Sequence, residues 1–334
     1  MSQFHIDDLP NEIFYRIFHE LPQQDLKAVV LVCKAWNEIG EDPSFWASAI
    51  VRIESGHDVQ KLEIKRFQKL EIVEVNCTGG NRFEEGIKCN WTKFEMTELF
   101  KAIQEIPLIR RIVGKTCRKC ISSVKPELLV NVLTSLEKVS VGGTGEFWCL
   151  GLGPEQLNLL FTVLDEKTYS LKLELYEYCD FSNISPGLFA SAISNVAEVL
   201  LCSYALPHEK MEALLAAIAG GDRAMRKLKV PTVLTCSIDS DILANAFKRL
   251  EEVTIYADQL DINSQDLSAI LSTLVEGESR LKRLMLHDID AADIEGVDQG
   301  LIKRAVEKVG FTFSVYVYDD YGSDSDFSED IDID

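Results

Sequence analysis

The chain has 334 residues and carries 54 acidic against 34 basic side chains, which gives a net charge of -20 and an isoelectric point near 4.7. So large an acidic excess argues against nucleic acid as its main partner. No apolar run approaches the roughly 18 residues of a membrane-spanning helix. Nine cysteines without a signal peptide favour reduced thiols, and hence a location in the cytoplasm, the nucleus or both.

The N-terminal stretch from 6 to 46 predicts a pair of amphipathic helices. It reads IDDLPNEIFYRIFHELPQQDLKAVVLVCKAWNEIGEDPSFW. Pro10 suits the first turn of a helix, where its missing N–H would have no intrahelical partner, and Asp7 or Asp8 can cap that helix. The apolar residues that follow form an arc too wide for one small core, and they are Ile13, Phe14, Ile17, Phe18 and Leu21.

A second helix is predicted to begin after Pro22. It should pack against the first helix through an apolar side made of Leu26, Val29, Val30 and Cys33. Helices of about ten residues in so short a module bury too little surface to be stable alone. Part of the apolar arc is therefore predicted to meet a partner.

The order of these residue types resembles an F-box: Leu-Pro before the first helix, a second Leu-Pro between the helices, then Asp-Leu and a closing Val-Cys-Lys-x-Trp. The resemblance implies binding to the Skp adaptor of a cullin-based ubiquitin ligase. The adaptor-binding positions carried over from it are Leu9, Pro10, Ile13, Ile17, Leu26, Cys33 and Trp36. Asn11 departs from the acidic residue common at its position. Taken separately, each piece also fits a generic helix start or an ordinary core helix.

The rest of the chain contains an internal repeat, an apolar-x-x-apolar-x-apolar unit that recurs at intervals of 25 to 34 residues. Its reference position falls on Ile112, Val139, Leu173, Val199, Leu228, Val253, Leu284 and Phe313. The mean interval, about 29 residues, lies at the upper end of the range for leucine-rich repeats, in which a helix fills the return segment. An earlier strand is predicted at 70–75, followed by an insertion at 79–91.

Helical patterns lie between these strand units, and prolines stand near four predicted helix starts, at Pro126, Pro154, Pro186 and Pro207. The helices resemble those of ribonuclease-inhibitor-like leucine-rich repeats. The resemblance implies an α/β fold in which a small all-α F-box at 1–50 precedes a curved repeat solenoid at 51–318. About eight to nine repeats are expected, with the parallel sheet on the concave side and the helices on the convex side.

In such a solenoid, the side chains between the buried strand residues face the concave surface, which repeat proteins use for binding. The first column contains Arg111, Lys138, Lys172, Glu198, Lys227, Glu252, Arg283 and Thr312. Five of these eight are basic, so the column predicts a positive lane that holds an acidic or phosphorylated protein substrate. Another column adds Tyr176, Tyr256 and Tyr316 as aromatic anchors. The alternative is that the charges only keep the sheet solvated.

The last segment, YDDYGSDSDFSEDIDID, carries eight acids and no base. Such a run repels itself, so residues 319–334 are predicted to form a disordered tail. Ser323 has Asp326 three residues on, which resembles an acid-directed kinase site. Three interpretations stay open: a solubilising tail, a regulatory tail, and a tail that competes with substrate on the positive lane.

Motifs for catalysis are missing from the sequence. His19-Glu20 and His208-Glu209 lack the second histidine of a metalloprotease helix, and the glycine-rich 142–153 lacks the lysine of a phosphate loop. A lone Cys117-x-x-Cys120 is weak evidence for zinc or redox chemistry.

We therefore expect no catalytic residue, metal or cofactor in this chain. The expected function is substrate recognition in an SCF-type E3 ubiquitin ligase. The alternative is a scaffold or sequestering protein that uses the Skp adaptor without ubiquitination of a substrate.

Overall fold

A computed structural model shows an N-terminal helical module followed by alternating strands and helices. It describes residues 9–47, 49–63, 67, 69–76, 91–113, 118–121, 124–141, 152–176, 179–202, 206–221, 223–230, 238–256 and 262–316. Most of the predicted 79–91 insertion, Cys117 and the acidic tail lie outside these residues.

The N-terminal module consists of α1 (Asn11–Glu20), α2 (Gln23–Val29), α3 (Lys34–Gly40) and a 3₁₀ turn at Pro43–Trp46. Trp46 holds these pieces together, because its buried indole Nε1 donates to the Gly40 carbonyl oxygen at 2.6 Å. Gly40 is required at this close approach. A Cβ added there would lie 2.1 Å from the Val30 Cγ1 atom.

The chain folds into two compact units, and the first comprises Met1–Glu137 with Gly145–Gly151. After the N-terminal helices, its elements are β1 (Ile50–Ile53), β2 (Ile72–Val75), α4 (Lys93–Gln104), β3 (Arg111–Val113), α5 (Arg118–Ile121) and α6 (Pro126–Ser135). Strand β2 pairs in parallel with both β1 and β3.

The second unit comprises Lys138–Thr144 with Leu152–Asp334. Its elements are β4 (Lys138–Val141), α7 (Pro154–Glu166), β5 (Tyr169–Tyr176), α8 (Pro186–Ser194), β6 (Val196–Cys202), α9 (His208–Ala219), β7 (Lys227–Val230), α10 (Ser240–Arg249), β8 (Glu252–Tyr256), α11 (Ser264–Glu276), β9 (Arg283–Asp290), α12 (Ala291–Glu295), α13 (Gln299–Val309) and β10 (Phe311–Tyr316). In the second unit, β4 to β10 pair in parallel and in chain order, as β1 to β3 do in the first unit. The expected α/β class with alternating strands and helices is confirmed.

The predicted alternation of buried and outward-facing strand residues is confirmed from β4 to β9. Val139 is paired with Leu173, Val199 with Leu228, and Val253 with Leu284. All of these side chains are buried. Alternation along each strand therefore sends the residues between them to the opposite face of the sheet.

The last repeat departs from the prediction, because Leu284 is paired with Phe311 and not with Phe313. Helix α13 ends at Val309, and its C-cap residue Gly310, with a φ of 57°, turns the chain directly into β10. Phe311 consequently takes the buried reference position, and Phe313 is half-buried. A register shift then follows between Phe313 and Val315, so the column assignments made for Thr312 and Tyr316 were wrong.

Two further local predictions need correction. The first strand is β1, which comes directly after the helical module, and the strand predicted at 70–75 is β2.

Cys33 does not pack against the first helix, because the chain turns after α2 and α3 begins at Lys34. The exposed Cys33 sulfur instead accepts a hydrogen bond from the Trp36 backbone N–H at 3.5 Å.

The predicted helix starts are confirmed. Pro126, Pro154 and Pro186 stand in the first turns of α6, α7 and α8, while Pro207 is the N-cap residue of α9. In these places the missing proline N–H costs no intrahelical hydrogen bond.

Candidate functional site

The apolar arc of α1 divides into a buried and an exposed half. Phe14 and Phe18 are buried, whereas Ile13 is 37% exposed and Ile17 is 41% exposed. The two isoleucines are four residues apart and so share one helix face. The prediction that the arc is too wide for the module's own core is confirmed.

Two more apolar side chains of this module are exposed, in the turn between α2 and α3. Leu31 is 81% exposed and Val32 is 61% exposed. Sequence reasoning missed them, because the run Val29 to Val32 looks like a continuous helix side. Helix α2 ends at Val29, so of the three residues that follow it only Val30 is buried.

Trp36 forms the centre of an aromatic cluster under the arc. Its ring lies 5.4 Å from that of Phe14 and 5.9 Å from that of Phe18. Within the described residues, its buried indole Nε1 has no hydrogen-bond partner. A buried donor without an acceptor costs about 1–3 kcal/mol, so an acceptor brought by a partner would stabilise this position.

The remaining predicted adaptor residues differ in their accessibility. Leu9 is half-buried, Pro10 and Cys33 are exposed, and Leu26 is buried in the module. Leu26 therefore supports the surface from below, while Pro10, Ile13 and Ile17 are available to a partner directly.

Residues 6–52 match the protein family described as F-box-like. These residues form an F-box-like domain. No curated protein matches the chain.

The second predicted surface is the face of β4 to β9 that carries the residues alternating with the buried ones, from Lys138 on β4 to Arg283 on β9. We call it the sheet face. Glu174 lies at its centre and is only 3% exposed. The Lys138 and Lys172 ammonium groups lie 2.7 and 2.8 Å from its Oε1 atom. Its Oε2 atom accepts from the Ser140 hydroxyl at 2.6 Å and from the Tyr176 hydroxyl at 3.1 Å. One buried carboxylate thus holds four side chains from two strands.

This environment sets the ionisation of Glu174. Burial by itself raises the pKa of the carboxyl, but hydrogen bonds from Lys138, Lys172 and Ser140 outweigh it, and the pKa falls to about 2. The carboxylate is therefore charged at neutral pH and balances one of its two lysines.

The next lysine along the predicted lane is also paired with acids. The Lys227 ammonium lies 3.3 Å from the Glu252 carboxylate and 3.6 Å from that of Glu198. A hydrogen bond to Glu252 and the charge of Glu198 raise the pKa of Lys227. The predicted positive lane is thus a lane of mixed charge. Counting the charges of one column in the sequence missed the ion pairs with Glu174, because Glu174 belongs to a neighbouring column.

The structure places the other predicted residues on several strands. Arg111, on β3, and Arg283, on β9, are exposed, and neither makes an ion pair within the described residues. Lys229, which was not predicted, is exposed on the same face between Leu200 and Thr254. Tyr256 is paired with His287, as its column assignment requires, whereas Tyr316 is paired with Asp290. Their binding roles stay predictions.

None of the helices in the described residues combines the length and the apolar composition that a membrane span requires. Over the same ranges, no group of three or more His, Cys, Asp or Glu side chains could hold a metal ion.

Proposed function

We propose that this protein is a substrate-recognition subunit of an SCF-type E3 ubiquitin ligase. The F-box-like domain binds the Skp adaptor and, through it, a cullin-RING ligase. The strand-and-helix units then capture a protein substrate. The chain is not an enzyme in this proposal, since ubiquitin transfer belongs to other subunits, and it acts in the cytoplasm, the nucleus or both.

The observation that carries the proposal is the exposed apolar surface of the F-box-like domain. Ile13, Ile17, Leu31 and Val32 leave large apolar side chains in water on a module of under fifty residues that matches a known family. Large apolar side chains exposed together on one helix face, as Ile13 and Ile17 are, mark an interaction site. Trp36, whose indole N–H finds no acceptor in the part of the chain that the structure describes, contacts Phe14 and Phe18 of the same helix.

The contribution to catalysis in this proposal is geometric. A substrate held on the same chain as the adaptor site has its lysines at a high effective concentration near the charged ubiquitin-conjugating enzyme. We place substrate capture on the sheet face and take an acidic or phosphorylated segment as its ligand. Exposed Lys229 and Arg283 support that choice, as do Lys138 and Lys172, whose combined charge exceeds that of Glu174.

The test of the adaptor interaction is Ile13→Asp, which puts a carboxylate into the apolar contact. We expect adaptor recovery from cells to fall at least a hundredfold, since burying an unpaired charge costs several kcal/mol and about 1.4 kcal/mol is a factor of ten. The matched control is Val306→Asp on α13, because Val306 is 38% exposed, close to the value for Ile13. It should leave adaptor binding unchanged.

The same purification separates the two functions. Recovery of a cullin together with the adaptor supports a ligase subunit. Recovery of the adaptor without a cullin supports the second candidate, a scaffold or sequestering protein. Undiminished adaptor binding by the Ile13→Asp protein would contradict the assigned surface.

A further inference from the structure

A basic cleft lies in the second unit. It has a volume of about 920 Å³ and lies at the C-terminal ends of α10, α11 and α13. Its basic lining residues are Lys248 and Arg249 at the end of α10, Arg280 shortly after α11, and Lys308 near the end of α13. A second cleft of about 330 Å³ shares Arg249 and Arg280 with the first and adds Arg223 and Arg226. We call the two together the helix-end cleft.

The charge of the helix-end cleft is opposite to that of the chain. Six lining residues are basic, whereas three are acidic, namely Glu251, Glu276 and Glu278. Glu251 is moreover paired with Lys282 at 2.9 Å. A basic concavity on a protein of net charge -20 concentrates negatively charged ligands.

Stabilisation of helix ends explains only part of this charge. The Lys308 ammonium donates to the Gly277 carbonyl oxygen at 2.9 Å and to that of Val275, so it caps the end of α11. A helix dipole acts within its last turn. Arg223, Arg226 and Arg280 follow the helices by several residues, since α9 ends at Ala219 and α11 at Glu276. Arg223 and Arg226 therefore add positive charge to the cleft that the helix dipoles do not explain.

The chain itself contains a matching segment. Residues 319–334 carry eight acids and no base, the complement of the helix-end cleft. The eighteen residues after Tyr316 can extend up to about 60 Å. Lys308 lines the cleft, and from it the chain runs through Val309 and Gly310 into the six residues of β10, which span about 20 Å. The tail can therefore reach back, at the high effective concentration of a tethered ligand.

We propose that the acidic C-terminal tail, residues 319–334, docks in the helix-end cleft of its own chain. The contact consists of charge-assisted hydrogen bonds between tail carboxylates and the cleft arginines and lysines. It weakens with salt, and phosphorylation of Ser323 strengthens it, since phosphate adds negative charge and acceptor oxygens.

The first test is carbodiimide cross-linking of the full chain, which joins carboxylates to nearby lysine amines. Residues 309–318 contain no acid, so every carboxylate of the tryptic C-terminal peptide that starts at Val309 belongs to the tail. We expect tail links to Lys248, at least tenfold more than to Lys229 of the sheet face, and a loss of most of them at high salt. Arg249→Glu with Arg280→Glu should abolish them.

The matched control reverses two exposed basic residues outside the cleft, Lys229→Glu with Arg283→Glu, and should keep the links. Links that survive the cleft reversal, or that favour Lys229, would overturn the proposal. A mixture of isotopically heavy and light chains tests the intramolecular geometry. Heavy-to-light links as abundant as links within one chain would overturn docking in cis.

A second measurement does not depend on substitutions in the folded body. Changing the eight tail acids to their amides should raise the acetylation rate of Lys248 severalfold at low salt and leave that of Lys229 unchanged. Equal rates for Lys248 in the two proteins would overturn the proposal.

Discussion

At the scale of single residues, Glu174 is the feature with the clearest energetic consequence. It is buried among two lysines and two hydroxyl groups. Glu174→Gln removes the negative charge and leaves Lys138 and Lys172 without their shared counter-ion. We expect a loss of about 2 kcal/mol at neutral pH, because charge-assisted hydrogen bonds contribute about 1.5–3 kcal/mol each. Urea unfolding of both proteins measures it.

The pH dependence of this difference follows from the direction of the pKa shift. The pKa of Glu174 is lowered from 4.5 to about 2 in the folded chain, so its stabilisation is present above pH 4.5 and is lost as pH falls towards 2. The gap between wild type and variant should therefore narrow in that window. The control is Glu198→Gln, where a more exposed acid lies 3.6 Å from Lys227 and should cost less than about 1 kcal/mol. Equal losses for both variants would contradict the central role of Glu174.

At the scale of single elements, strand β6 offers a test of which strand residues face the core and which face outward. Val199 is 1% exposed and is paired with buried Leu173 and Leu228, whereas its neighbour Leu200 is half-buried between Glu174 and Lys229. Val199→Glu should unfold the second unit, because an unpaired buried carboxylate costs several kcal/mol. Leu200→Glu should change the midpoint by only a few degrees. Thermal melts followed by circular dichroism compare the two variants. A larger fall in the melting midpoint for Leu200→Glu than for Val199→Glu would contradict the assignment of Val199 to the core.

At the scale of the whole molecule, the charge of the sheet face governs what it can bind. Lys229 and Arg283 are exposed there without an ion pair among the described residues, while Lys227 is shared by two acids. Lys229→Glu with Arg283→Glu should weaken capture of an acidic substrate about tenfold or more and reduce its salt dependence. The substrate is first identified by affinity purification with ligase activity blocked, and its affinity is then measured at two salt concentrations.

The control for this surface is Lys303→Glu with Arg304→Glu, two exposed basic residues on α13. It changes the net charge by the same amount but leaves the sheet face intact. A substrate bound equally well by both double variants would move recognition to another surface. Adaptor binding should be unchanged in both.

Local patterns in the sequence determined most of the architecture. Apolar spacing predicted the split arc of α1, because a helix repeats every 3.6 residues whatever its surroundings. The repeat unit likewise predicted which residues of β4 to β9 are buried, and prolines predicted the starts of α6, α7 and α8. Each of these signals lies within a short stretch of residues, so a single sequence contains it.

Only the tertiary structure decided the features that depend on register and on chain ends. The pairing of Glu174 with Lys138 joins residues 36 positions apart, and it exists because β4 and β5 are aligned in one register. Phe311 took the place predicted for Phe313 because Gly310 caps α13 and starts β10 at once, and Leu31 is exposed because α2 ends at Val29. The helix-end cleft likewise arises where several repeats meet. Such contacts depend on distances through space, which the periodicity of a sequence does not contain.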